Sequence, residues 1–130
     1  MGLAIDRIDH IVLTVTDVEQ TIRFYSDVLG MQEIRHDNDR AALAFGKQKI
    51  NLHPAVNDIT PRASTPTAGA IDICLISGLP IDEVVSHLQR HGVSIEAGPI
   101  ERQGALGMMI SVYFRDPDGN LIEIAHYDNL

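Results

Sequence analysis

The chain has no tryptophan, a single cysteine and no apolar run long enough to cross a membrane. Because Cys74 has no second cysteine to pair with, an internal disulfide is excluded and a reducing compartment is expected. A transmembrane helix needs roughly 18 or more apolar residues in a row, and residues 1–9 lack the charged and apolar regions of a signal peptide. We therefore expect a cytoplasmic protein that does not bind a membrane.

Positive charge is also scarce. Ten Lys and Arg residues stand against 18 Asp and Glu residues, which gives a formal net charge of −8. Nucleic acids and anionic membranes bind concentrated basic surfaces, so neither is expected as a partner. The hydrophobic share of 45% is ordinary for a globular protein, and 130 residues are enough for one domain with its own core. The prediction is a single domain over residues 1–130.

An internal repeat organises the chain. The strand-like segment that contains His10 and the one that contains Asp72 each lead into a helical stretch that a glycine ends. Extended segments follow in both halves, so that the repeat sets His10 against Asp72 and Asn51 against Glu123. This repeat favours two modules that close around one polar cavity, and such a cavity could bind a metal.

Hydrophobic periodicity and turn signals predict the order β-α-β-β-β in each half. In the first half, the predicted elements are strands near residues 8–15, 31–36, 41–45 and 49–53, a helix from Asp17 to Gly30, and a turn at residues 37–39. In the second half, they are strands near residues 70–77, 94–96, 108–114 and 121–126, a helix from about Pro80 to His91, a flexible loop at 103–107, and a turn at 116–120. Module one spans about residues 5–54, a proline-containing linker about 55–69, and module two about 70–128.

Alternation along the strands places the polar candidates opposite the apolar residues that face the helices. The candidates are His10, Asn51, His53, Asp72 and Glu123. Imidazole nitrogens and carboxylate oxygens together suit zinc, manganese, iron(II) or nickel. A lone strand histidine is more often a hydrogen-bonded structural residue, whereas a carboxylate between two isoleucines, as at Glu123, is costly to bury without a partner.

Three motifs identify a family resemblance: residues 8–13, 24–31 and 114–123. In this order they resemble the vicinal oxygen chelate superfamily, which includes glyoxalase I, extradiol dioxygenases, fosfomycin-resistance transferases and bleomycin-binding proteins. Residues 45–53 and 72–76 resemble, within it, the branch of glyoxalase domain-containing protein 5, which includes a bacterial virulence-associated protein. The resemblance implies an α+β fold in which paired βαβββ modules form an open cupped barrel around a divalent metal.

The resemblance also assigns residues to roles. His10 and Glu123 match the metal ligands of the first and last strands, and Asp72 stands where a metal-binding histidine is usual, which could preserve ligation through oxygen. Asn51 stands where glyoxalase I has a glutamate that is both ligand and base. Because a carboxamide cannot take up the proton, conventional lactoylglutathione lyase chemistry is not expected. His53, two residues on, is the candidate base in its place, and a polar strand end is its alternative interpretation.

Substrate contacts are predicted at three positions: Lys49, Asn51 and Tyr113. Tyr113 lies where the resistance transferases carry a tyrosine that contacts substrate, although ordinary packing is the commoner role. Lys49 would attract an anionic group, and a solvated lysine is the alternative. Glutathione is a candidate cosubstrate by resemblance.

The leading hypothesis is a metal-dependent enzyme of glyoxalase or dioxygenase type that chelates a small oxygenated substrate and transfers a proton, with Glu123 and His53 as catalytic residues. A metal-free protein that binds a drug or metabolite is the rival, although an aromatic share of 5% is thin for a stacking pocket. An extradiol dioxygenase would need His53 beside His10 and Glu123. By resemblance, a homodimer is also expected, and the linker at 55–69 is long enough to permit an exchange of modules between its two chains.

Overall fold

The computed structural model describes residues 2–36 and 40–129, so the predicted turn at 37–39 lies outside it. The chain divides into two compact units, Met1–Thr67 and Ala68–Leu130. Unit 1 contains β1 (His10–Val15), α1 (Val18–Asp27), β2 (Gln32–Arg35), β3 (Ala41–Phe45) and β4 (Gln48–Pro54). Unit 2 contains β5 (Asp72–Ile76), α2 (Ile81–Arg90), β6 (Ala97–Gly104), β7 (Gly107–Arg115) and β8 (Leu121–His126). Each is a βαβββ module, which confirms the predicted α+β class.

The two sheets have the same topology. Their strand orders are β1-β4-β3-β2 and β5-β8-β7-β6. In each, the first strand runs parallel to the last, and the remaining neighbours are antiparallel. The predicted repeat is therefore a structural repeat, in which the helix that follows the first strand makes a crossover connection within each unit.

Helix α1 begins where the sequence offers a cap. The side chain of Asp17 accepts a hydrogen bond from the backbone N–H of Gln20 at 3.0 Å, which satisfies a donor in the first turn. Ile22 and Tyr25 are buried on its inner face. They lie on the same side of the sheet as Leu13 and Ile50, which are also buried, so this side of the sheet is the core of unit 1.

Helix α2 covers the sheet of unit 2 in the same way. It begins directly after Pro80, and its buried residues are Val84 and Leu88. The helix contacts β7 and β8, whose Phe114 and Ile122 have no exposed surface. Val84 and Leu88 are four residues apart, so they lie on one side of the helix and form its apolar stripe.

The second strand of module two differs from the prediction. β6 occupies Ala97–Gly104, after the predicted segment at 94–96, and it includes the first two residues of the loop predicted at 103–107, while β7 begins at the last. Gly104 pairs with Gly107 in a tight hairpin, and a Cβ at Gly104 would clash with the hydroxyl of Tyr127. Gly104 therefore permits close packing, and the predicted loop is wrong in extent because only residues 105–106 form a turn.

The turn between β7 and β8 is built from buried side chains. Asp116 Oδ1 accepts from the backbone N–H groups of Asp118 and Asn120, both at 2.9 Å. Asn120 donates from Nδ2 to Asp116 Oδ2 at 2.8 Å and accepts from the backbone N–H of Ile71 at 2.9 Å. The predicted turn at 116–120 is confirmed, and it joins the start of β8 to the segment that enters β5.

No helix among the described residues is long and apolar enough to cross a membrane.

Candidate functional site

Unit 1 carries the predicted polar residues on the sheet face opposite α1, here called its open face: His10, Val12, Lys49, Asn51 and His53. In the parallel pairing of β1 with β4, Lys49 lies beside His10, and His53 lies beside Thr14. Ile50 and Leu52 alternate with them and are buried against the helix side. Strand alternation therefore predicted this face correctly.

His10 is exposed, and a neighbouring carboxylate orients its ring. His10 Nδ1 lies 2.8 Å from Asp9 Oδ2, and this hydrogen bond is the main reason that the pKa of Asp9 falls below its ordinary value. When Nδ1–H donates to Asp9, the lone pair of His10 is on Nε2. A carboxylate on the second ring nitrogen is the usual support for a histidine that binds a metal.

His53 is half-buried near the end of β4. Loss of contact with water, followed by the positive charge of Arg40, lowers the pKa of the imidazole from its ordinary 6.5. The neutral form, which can accept a proton, therefore predominates at pH 7. Neutral Asn51, two residues earlier on the same face, cannot do this.

Unit 2 places three side chains in a row across its sheet. Glu123 on β8 pairs with Cys74 on β5 and with Tyr113 on β7, and the three lie opposite α2. Asp72 pairs with Leu121 and is exposed at the start of β5. We call this side the open face of unit 2; its residues are Asp72, Cys74, Ile76, Arg102, Ser111, Tyr113 and Glu123.

Glu123 has an unsatisfied oxygen. Its Oε2 is buried and has no hydrogen-bond partner among the described residues. Although Cys74 as a residue is exposed, partial burial of its thiol raises its pKa to about 11, with further contributions from the charge of Glu123, a hydrogen bond to it, and the charge of Asp72. The thiol is therefore neutral at pH 7.

Arg102 is a member of this face that sequence reasoning missed. Its Nε donates to the Tyr113 hydroxyl at 3.0 Å, and its guanidinium carbon lies 5.7 Å from the centre of the Tyr113 ring. It was missed because its face depends on the pairing of β6 with β7, whose register shifts between Ala97 and Ile100. Gly98 permits this bulge because its φ is 96° and a Cβ there would clash with the Ser111 carbonyl oxygen.

The structure brings His10, Lys49, Asn51 and His53 together in unit 1, and Asp72, Tyr113 and Glu123 together in unit 2. Within residues 2–36 and 40–129, no group of three or more His, Cys, Asp or Glu side chains is placed to hold a metal ion. Since the predicted ligands are divided between the two units, the metal site stays a prediction.

A separate cavity of about 760 Å³ lies in unit 1 beside the start of α1. Its lining includes Arg35, Arg40 and Asn57 and contains none of the predicted site residues. Arg35 is already paired with Glu19 at 2.6 Å. The predicted site residues therefore lie outside this cavity.

Comparison with known proteins defines the family. Residues 7–124 match the model of the Glyoxalase/Bleomycin resistance protein/Dioxygenase superfamily, and the chain belongs to this superfamily. The virulence protein STM3117 of Salmonella typhimurium is 54% identical over 125 residues, which cover 96% of this chain and 87% of that protein. The crystal structure of that virulence protein matches this fold with a TM-score of 0.94 over 96% of this chain and 99% of that chain. The glyoxalase domain-containing protein RDO1 of Mycosarcoma maydis is 42% identical over 127 residues, or 98% of this chain and 72% of that protein.

More distant relatives carry names of enzymes. A lactoylglutathione lyase of Salmonella typhimurium is 29% identical over 126 residues, covering 91% of this chain and 90% of that protein. A catechol-2,3-dioxygenase of Bacillus subtilis is 27% identical over 115 residues, covering 86% of this chain and 38% of that protein.

Proposed function

We propose that this protein is a metal-dependent enzyme that binds two neighbouring oxygens of a small substrate and transfers a proton. The observation that carries the proposal is Glu123 Oε2, a buried carboxylate oxygen without a hydrogen-bond partner among the described residues. Leaving such an atom unsatisfied costs about 1–3 kcal/mol, and more where the group is charged. A cation or a substrate donor at this oxygen would offset that cost.

The donor atoms of the proposed ligands have the chemistry that a divalent metal requires. His10 offers Nε2 because Asp9 contacts its other ring nitrogen, and Glu123 offers its unsatisfied oxygen. Asp72 adds a second carboxylate on the open face of unit 2. Nitrogen and oxygen donors of this kind suit zinc, nickel, manganese or iron(II). When bound, such a metal would polarise a substrate oxygen.

His53 is proposed as the group that accepts the proton. Its lowered pKa keeps the imidazole neutral at pH 7, which is the form a general base requires. Asn51 would orient the substrate through its amide, and Lys49 would attract an anionic portion of it. In this proposal His53 performs the proton transfer that Asn51 cannot.

Two reaction types are consistent with the distant relatives: proton transfer next to a carbonyl group, as in a lyase or isomerase, and oxygen insertion into a catechol. The asparagine at position 51 argues against the conventional lactoylglutathione reaction. Proton transfer that depends on His53 is therefore the form of the proposal that we favour, and glutathione is one cosubstrate to be tried.

The proposed function is tested with small carbonyl compounds in deuterium oxide. We expect the metal-loaded protein to exchange the carbon-bound hydrogens of dihydroxyacetone for deuterium, followed by NMR, and the chelator-stripped protein to lose this activity. A His53→Gln variant should lose most of the exchange while a control His91→Gln variant keeps it, because His91 is exposed on the end of α2. Oxygen consumption with catechol by the iron(II)-loaded protein, without any exchange, would contradict proton transfer in favour of the dioxygenase.

A metal-free binding protein is the second candidate. Exposed apolar side chains on the two open faces favour it, since Val12 is 44% and Ile76 57% exposed. A well-folded protein that binds small molecules but takes up no metal would establish this function instead.

A further inference from the structure

Arg102 has a geometry that the proposed metal chemistry does not account for. Its guanidinium is held by neutral groups: Nε donates to the Tyr113 hydroxyl at 3.0 Å, and Nη1 donates to the Glu101 carbonyl at 3.2 Å. The Tyr113 ring adds a cation–π contact at 5.7 Å. No carboxylate within the described parts of the chain forms an ion pair with it.

The other two strand arginines of the described residues behave differently. Arg35 pairs with Glu19 at 2.6 Å, and Arg115 pairs with Glu96 at 3.0 Å. In a chain with 18 acidic and 10 basic residues, carboxylates are readily available as partners. Arg102 is positioned by a tyrosine and has no carboxylate beside it, so its positive charge is available to bind an anionic ligand.

The position of Arg102 points to the same site as Glu123. Arg102 pairs with Met109, whereas Tyr113 pairs with Glu123, so the hydrogen bond between Arg102 and Tyr113 joins two positions of the open face that lie on either side of Ser111 along β7. Ser111 Oγ, like Glu123 Oε2, is buried without a hydrogen-bond partner among the described residues. One strip of this face therefore holds a free positive charge and two polar groups with unused hydrogen-bonding capacity.

We propose that Arg102, oriented by Tyr113, binds an anionic group of the substrate, and that the substrate is therefore a small oxygenated compound with a carboxylate or a phosphate. The choice of substrate class rests on the proposed function, in which Glu123, on the same face, is a metal ligand. A guanidinium presents two parallel N–H groups that match either anion. Tyr113 acts here as a positioning residue.

The anion site is tested first in the chelator-stripped protein, by NMR titration with inorganic phosphate and with acetate. We expect a saturable shift of the Arg102 Nε–H signal and of Tyr113, and the anion that saturates at lower concentration identifies the preferred group. Arg102→Gln should abolish the shift at Tyr113. Arg90→Gln, which removes the same charge from α2, should leave it unchanged. Shifts that do not saturate, or that persist at Tyr113 in Arg102→Gln, would overturn the proposal.

The substrate class is tested in the metal-loaded protein by calorimetry with dihydroxyacetone phosphate and neutral dihydroxyacetone. The phosphate ester should bind at least about tenfold more tightly, and Arg102→Gln should bring the two affinities together. Arg102→Lys should restore only part of the difference, because it keeps the charge without the paired donors. Metal uptake without preference for the anion would overturn this inference and leave the proposed function standing. Anion binding at Arg102 without metal uptake would overturn the proposed function and leave the anion site standing.

Discussion

Single residues decide the chemistry of the open faces, and their neighbours decide their protonation. The Cys74 thiol, with its pKa raised to about 11 by burial and by its acidic neighbours, stays uncharged at neutral pH. Asp9 supports His10 from the adjacent position. Strand alternation predicted which face carries Glu123. The pairing of the Cys74 thiol with the Glu123 carboxyl group depends on the register between β5 and β8. Strand alternation alone does not predict that register.

The His53 imidazole gives a prediction at this scale. Its pKa in the folded, metal-free protein should lie below the ordinary 6.5, because burial and Arg40 disfavour the charged form. A pKa lowered on folding means that the unfolded chain binds more protons, so stability from this group is complete above about pH 6.5 and declines as the pH falls towards the folded pKa. NMR titration of the His53 ring measures the midpoint. A midpoint at or above 6.5 would contradict the account.

At the scale of elements, the turn of residues 116–120 holds β8 in place, and Asn120 is its central side chain. Asn120 has no exposed surface and links Asp116 to the backbone of Ile71. Its replacement by alanine removes both hydrogen bonds, and the Ile71 N–H loses the acceptor that Asn120 provides. We expect Asn120→Ala to lower the free energy of unfolding by about 2–4 kcal/mol.

Denaturant unfolding followed by circular dichroism measures this change, and Asn129→Ala, at an exposed position, is the control. Equal stability of Asn120→Ala and the parent would show that the buried turn does not contribute as described.

Elements with strong local signals could be predicted from the sequence, and β6 could not. The cap at Asp17 and the turn chemistry at 116–120 are local, and both predictions are confirmed. The course of β6 depends on Gly98 and Gly104, whose missing side chains admit the Ser111 carbonyl and the Tyr127 hydroxyl from distant positions. Because those contacts are made by residues far along the chain, Arg102 was not recognised as a site residue.

For the whole molecule, the repeat gave the architecture because each half carries the same sequence of strand and helix signals. Two βαβββ units of matching topology follow from it.

The homodimer remains a prediction, and we propose to examine it by light scattering, in which the measured mass is compared with the 14.3 kDa of one chain. Membership of the superfamily is shown, whereas the metal is the central claim of our proposal.

The most direct test of that claim is the divalent metal affinity of the chelator-stripped protein, measured for the parent, His10→Ala, Glu123→Gln and Glu101→Gln. Glu101 is an exposed carboxylate of β6 and is the matched control for loss of one charge. We predict one metal per proposed site in the parent, an affinity at least about tenfold weaker in His10→Ala and Glu123→Gln, and no change in Glu101→Gln. A folded parent that takes up no metal, or variants at His10 and Glu123 that bind it as tightly as the parent, would contradict the account.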